Sequence, residues 1–148
     1  MMKYSVIILL AVGMMIFISS CNSGPKPINY GADACDFCRM TIVDKQHAAQ
    51  LVTKTGKAFK YDAIECMLND LKEWDHPEVR HYLVADYANP GVLTDASGAA
   101  FLISEEIPSP MGEFLTAFGS ADKRNEVKQD VSGTSLDWSA LKAEFEVN

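Results

Sequence analysis

Three sulfur side chains fall within six residues in the stretch Cys35-Asp36-Phe37-Cys38-Arg39-Met40. Two thiols stand three apart and a thioether follows two positions later. These are soft ligands, and soft ligands select a copper(I)-type ion over harder metals. Cys66, Met67 and Met111 add sulfur downstream, each beside an expected helix start. Several chemistries compete for the Cys35/Cys38 pair. A thioredoxin-like redox pair follows a strand and opens a helix, whereas this pair precedes a strand-like run. A c-type haem needs His directly after the second cysteine, and Arg39 stands there. A structural zinc site would take Cys35, Cys38, Cys66 and one histidine. A plain disulfide is the structural alternative. The copper(I)-type site is preferred, because the CxxCxM pattern comes with further Cys and Met.

The N-terminus sets the expected compartment. Lys3, the apolar run Val6 to Ile18 and Ser19-Ser20 before Cys21 describe a secretory signal. The run is short for a membrane span, which takes roughly 20 apolar residues. Ile18-Ser19-Ser20-Cys21 resembles a bacterial lipoprotein lipobox. That resemblance implies cleavage before Cys21, lipid on its thiol and a membrane link through the lipid. Asn22 in the next position would, by the same resemblance, allow sorting to the outer membrane, facing the periplasm. The polar Pro/Gly-containing stretch 22–27 reads as a flexible tether. The expected organisation is a signal peptide over 1–20, a lipidated cysteine and tether over 21–32, and one domain over 33–148.

Without Lys3 the charge count moves from 13 − 20 = −7 to 12 − 20 = −8. An acidic domain without a basic run is a poor partner for nucleic acid or anionic lipid. A chain of this length can bury a real core without staples. Three cysteines remain beyond Cys21, an odd number. In an oxidising setting one pair could close and one thiol would be left over, which favours a ligand role.

The elements that must position these residues follow from periodicity. Residues 40–43 read as a strand, 47–53 as a second and 58–61 as a third, with turns at 44–46 and 54–57. Asp62 is expected to cap a helix, with Glu65 completing a capping box. Ile64, Met67, Leu68, Leu71 and Trp74 share one face of it, as a core stripe should. Cys66 lies about 200° from Ile64, on the face of Asp62 and Asn69. Near the helix N-terminus its thiol is expected to be biased toward thiolate. Pro77 ends the helix by disfavouring helical geometry at His76. Residues 81–87 read as a strand, 89–91 as a turn, and 92–94 with 99–103 as a hairpin. Ser109 and Pro110 should open a second helix with Met111, Phe114, Leu115 and Phe118 on one face. Residues 126–131 read as a strand, and 135–145 as a terminal helix aligning Trp138, Leu141 and Phe145. The order strand, strand, helix, strand thus appears twice, around 47–87 and 92–131, giving an α+β architecture. If the halves face each other, the sulfur-bearing helix starts converge with the Cys35–Met40 stretch.

Four blocks together resemble the NosL family: Cys35-Asp-Phe-Cys-Arg-Met40-Thr-Ile; His47-Ala-Ala-Gln-Leu-Val with Gly56-Lys57; Tyr61-Asp-Ala-Ile-Glu-Cys66-Met67-Leu; and Pro110-Met111-Gly112 with Ala117-Phe118. The resemblance covers roughly residues 33–120. It implies a membrane-anchored lipoprotein that binds copper(I) and delivers it, with nitrous oxide reductase or its assembly factors as partners, and that is not an enzyme. It also implies two ββαβ units forming one compact domain, here with a short C-terminal helix added. Fold alone does not set function; the family's copper site of Cys and Met sulfur carries the argument. Transferred residue by residue, the site rests first on Cys38 and Met111, then on Cys35, Met40 and Cys66. Met67 and His47 are additional candidates, although Met67 also fits the core stripe and His47 reads more readily as a structural or solvated histidine. Arg39 departs from the family, where Gly is common. The competing reading is a thiol–disulfide oxidoreductase cycling Cys35 and Cys38 with help from Cys66.

Overall fold

The computed structural model describes residues 24–75 and 77–147. The expected signal segment, Cys21 and His76 lie outside the described residues. No helix among the described residues is long and apolar enough to cross a membrane.

The chain folds as two ββαβ units. The first contains β1 (Ala49–Thr53), β2 (Ala58–Tyr61), α1 (Ile64–Lys72) and β3 (Val79–Ala85), and its sheet is extended by β4 (Leu93–Asp95). The second contains β5 (Ala100–Ile103), β6 (Leu115–Phe118), α2 (Ala121–Val127) and β7 (Thr134–Leu136). A last helix, α3 (Trp138–Glu144), closes the chain. The sheets run β2-β1-β3-β4 and β6-β5-β7, with every pairing antiparallel. In each unit the first strand is central and its second and third strands flank it, so the two halves share one topology.

Burial follows from those positions. All five residues of β1 are buried, because a strand covered on both faces has no solvent side to alternate toward. Gln50, polar yet fully buried there, satisfies its amide against one backbone position. Its Oε1 accepts from the Lys26 N–H at 2.9 Å and its Nε2 donates to the Lys26 carbonyl at 2.7 Å. The segment expected to be a flexible tether is therefore fastened to the central strand at Lys26. One core cluster joins both units through Leu51, Tyr61, Ile64, Met67, Leu68, Phe101, Leu115 and Leu141. Helix α1 packs on β1 and β2 of its own unit and on β6 of the other. The Tyr87 N–H donates across to the Ala117 carbonyl at 2.9 Å.

Several expected elements differ in the structure. Residues 40–43 form no strand; only Thr41 pairs, with Ala34, because the turn before it and a left-handed Arg39 (φ 68°) redirect the chain. Residues 92–94 and 99–103 are not a hairpin: β4 completes the first sheet and β5 centres the second. The 109–118 helix is absent. Gly112 and Phe114 take φ values of 76° and 61°, which interrupt a helix, and residues 115–118 pair with β5 instead. Short apolar runs fit either period, which is how this strand resembled a helix. Residues 126–131 are no strand, and the unit's helix lies earlier. Ser120 caps α2 by accepting from the Lys123 N–H at 3.3 Å. The terminal helix starts at Trp138, capped by Asp137 through the Ala140 N–H at 2.8 Å, since Ser135 belongs to β7.

Candidate metal centre

The Cys35–Met40 segment closes on itself. The Cys35 N–H donates to the Met40 carbonyl at 2.8 Å, and the Arg39 N–H donates to the Cys35 carbonyl at 3.1 Å. The turn is then fastened to β2. The Asp36 N–H donates to the Lys60 carbonyl at 2.8 Å, the Lys60 N–H returns a bond to Asp36 Oδ2 at 2.7 Å, and Lys60 Nζ pairs with Asp33 at 2.6 Å. Strand β2 runs directly into Asp62 and then into the first turn of α1. One short stretch of chain therefore brings Asp62 and Cys66 beside the Cys35/Cys38 turn.

The ligand atoms of Cys35, Cys38, Asp62 and Cys66 all lie within 4.8 Å of one another. Two metal–sulfur bonds of about 2.3 Å span at most roughly 4.6 Å, so small side-chain adjustments would let one ion touch all four. Cys35 and Cys66 are fully buried, Asp62 is nearly so, and Cys38 is half-buried at the edge. All three thiols are free.

The electrostatics single out one thiolate. The Cys35 sulfur accepts from the Cys66 thiol and from the backbone N–H groups of Asp62, Cys38 and Phe37, which outweigh burial and lower its pKa from 9.0 to about 6. Cys66 is pushed far above the ordinary range, first by its bond to Cys35, then by burial and by Asp62. Burial is also the largest influence raising Cys38, whose thiol donates to Asp62 Oδ1 at 3.4 Å. The bias toward thiolate expected at Cys66 therefore falls on Cys35. The backbone donors converge there, and once Cys35 is charged a second adjacent negative charge is disfavoured.

The other candidates are distributed unevenly. Met40 is 59% exposed. Met111 is half-buried, and both it and Cys38 pack against the core cluster that includes Cys35 and Cys66. It stands in a turn, not at a helix start. Met67 is fully buried in that core. His47 uses both ring nitrogens elsewhere: Nδ1 lies 2.8 Å from Asp44 Oδ2 and Nε2 lies 3.4 Å from Thr116 Oγ1. Asp62, expected as a helix cap, makes no cap; the N-cap position is Ala63, without a side-chain bond. The capping-box partner Glu65 bonds instead to Ser109 and Leu115. The signal for Asp62 was its position four residues before Cys66 on one helix face.

The fold and the cluster define a domain of two ββαβ units with a buried thiol–carboxylate site at the junction of β2 and α1. The chain belongs to the NosL family, whose family model matches residues 27–145. The fold is similar to the crystal structure of the copper chaperone NosL from Shewanella denitrificans, with a TM-score of 0.68 at 20% identity, over 79% of this chain and 94% of that one. No curated protein sequence matches the chain.

The lowered Cys35 pKa has a measurable consequence in the reduced, metal-free protein. A group depressed on folding contributes stability above its unfolded pKa, and that stability is lost as pH falls through its folded pKa. For Cys35 the window runs from 9.0 down to about 6. Thiolate absorbance should titrate with a midpoint near the lower value. Across the same window the wild-type chain should lose stability relative to Cys35→Ser. A single thiol titration near 9 in the wild type would contradict the assignment.

Proposed function

We propose that this chain is a copper(I) metallochaperone. The observation that carries the reading is the buried convergence of Cys35, Cys38 and Cys66 with Asp62 inside 4.8 Å, in a member of the NosL family. Thiolates suit copper(I), and the half-buried Cys38 gives the site an outer edge. Copper(I) would displace thiol protons on binding, as metal binding to cysteine generally does. Met111 supplies a thioether beside the same core, and Met40 one at the surface. A site of few soft ligands leaves a position open, so a client ligand can enter at the Cys38 edge and take the ion by exchange. Nitrous oxide reductase or its assembly factors are the proposed clients, on the family resemblance.

The competing oxidoreductase reading fits the electrostatics less well. An attacking thiol must be both ionised and accessible. Here the low-pKa Cys35 is fully buried, while the more accessible Cys38 is raised.

The membrane link is part of the proposal: lipid on Cys21, with the domain held at the periplasmic face of the outer membrane. Cells fed labelled palmitate should label the wild type and not Cys21→Ala, and the unlabelled variant should leave the outer-membrane fraction. Equal labelling would overturn the anchor.

The binding function is tested by anaerobic titration of the reduced domain with copper(I) against a competing chelator. A one-to-one complex is expected, weakened about 10–100-fold by Cys38→Ser, in the range seen when groups supporting metal sites are removed or more, and weakened less by Met111→Leu. Binding that vanishes only with the cysteines and ignores Met111 would make the thioether structural. Absence of tight binding would refute the chaperone reading itself.

A further inference from the structure

Glu65 precedes Cys66 in α1 and is fully buried. Burial pushes its carboxyl pKa up, and a buried carboxylate is costly unless its bonds are well made. Its Oε1 accepts from the Ser109 hydroxyl and from the Leu115 N–H at 3.3 Å. Its Oε2 has no partner among the described residues. Ser109 Oγ in turn accepts from the Phe114 N–H at 2.9 Å, and the Ser109 carbonyl accepts from the Gly112 N–H at 3.0 Å.

One carboxylate oxygen thus grips both ends of the segment 109–115. Met111 lies inside that segment. Left-handed Gly112 and Phe114 deny it the ladder of a helix or strand, so its geometry depends on these side-chain bonds. The grip originates one residue from Cys66, on the helix that carries the thiol. An apolar residue of similar volume would fill the same space without the desolvation cost, but it could not tie the Ser109 hydroxyl and the Leu115 N–H to one point.

We propose that Glu65 is a positioning residue, a clasp that holds the Met111 turn against α1 so that the thioether reaches the thiol cluster. This rests on the proposed copper role of Met111. It assigns Glu65 no contact with the ion. The clasp also spans the two ββαβ units, so it couples the site to their packing.

The test is a double-mutant cycle on the reduced mature chain, with copper(I) affinity read by chelator competition and folding checked by thermal unfolding. Glu65→Leu should weaken binding about tenfold, the lower range for groups that orient metal ligands. Ser109→Ala, which leaves the helix intact, should act in the same direction. Glu65→Gln keeps the acceptor oxygen and should bind like the wild type. In a Met111→Leu background, Glu65→Leu should add less than about twofold, because coupled positions are not additive. Equal losses in both backgrounds, or a Glu65→Gln defect matching that of Glu65→Leu, would overturn the clasp. If Met111→Leu weakens binding while Glu65→Leu and Ser109→Ala do not, the clasp alone fails. If Met111→Leu has no effect, the ligand role of Met111 fails and the clasp fails with it.

Discussion

Three thiols and a carboxylate held within 4.8 Å cannot all carry charge at once, and the rest of the structure depends on that constraint. In the metal-free chain it is met by protons. A thiolate is favoured on Cys35 first by the Cys66 thiol and then by the N–H groups of Asp62, Cys38 and Phe37, while the Cys66 and Cys38 thiols are held toward the protonated form. On the proposed reading, a monovalent soft cation would answer the same need, replacing shared protons at a place where converging donors outweigh burial and already favour a thiolate. The site is thus arranged around one thiolate beside the Asp62 carboxylate, where proton and metal would compete.

The scaffold concentrates its order at this point. Strand β2 receives the cysteine turn through reciprocal backbone and side-chain bonds between Asp36 and Lys60, and then delivers Asp62 and Cys66 within one turn of helix. Two more polar links bind the second unit to the first. Glu65 reaches Ser109 and Leu115, and His47 reaches Thr116. These contacts, like the bond from the Tyr87 N–H to the Ala117 carbonyl, cross between the two units, where unsatisfied buried groups would be expensive. They specify how the halves meet.

Much of the first unit was legible from the sequence because its patterns were unambiguous. The turn at 54–57, the strand at 58–61 and the helix stripe from Ile64 to Leu71 each had a clear period. The second unit had the right order of elements in a displaced frame. Residues 115–118 carry four buried apolar or small side chains, a run too short to separate helix from strand. The interruptions at Gly112 and Phe114 concern backbone angles, which composition does not reveal for a phenylalanine. At the site, the grouping of Cys66 with the CxxC turn was only a possibility allowed by helical spacing. The role of Asp62 was hidden because an Asp before a helix is ordinarily its cap, and the neighbouring Glu65 completed a convincing but unused capping box. Local rules failed here at the residues that tertiary contacts recruit, as is usual at functional positions.

The central claim is that the Cys35–Cys38–Cys66 cluster is the copper centre. X-ray absorption at the copper edge of the copper(I)-loaded, reduced protein tests it most directly, with the Cys35→Ser/Cys66→Ser variant alongside. A first shell of sulfur in the wild type, replaced by lighter atoms or lost with the copper in the variant, is the expected result. A wild-type shell dominated by nitrogen or oxygen, or a sulfur shell that survives both substitutions unchanged, would contradict it and place the metal elsewhere on the chain.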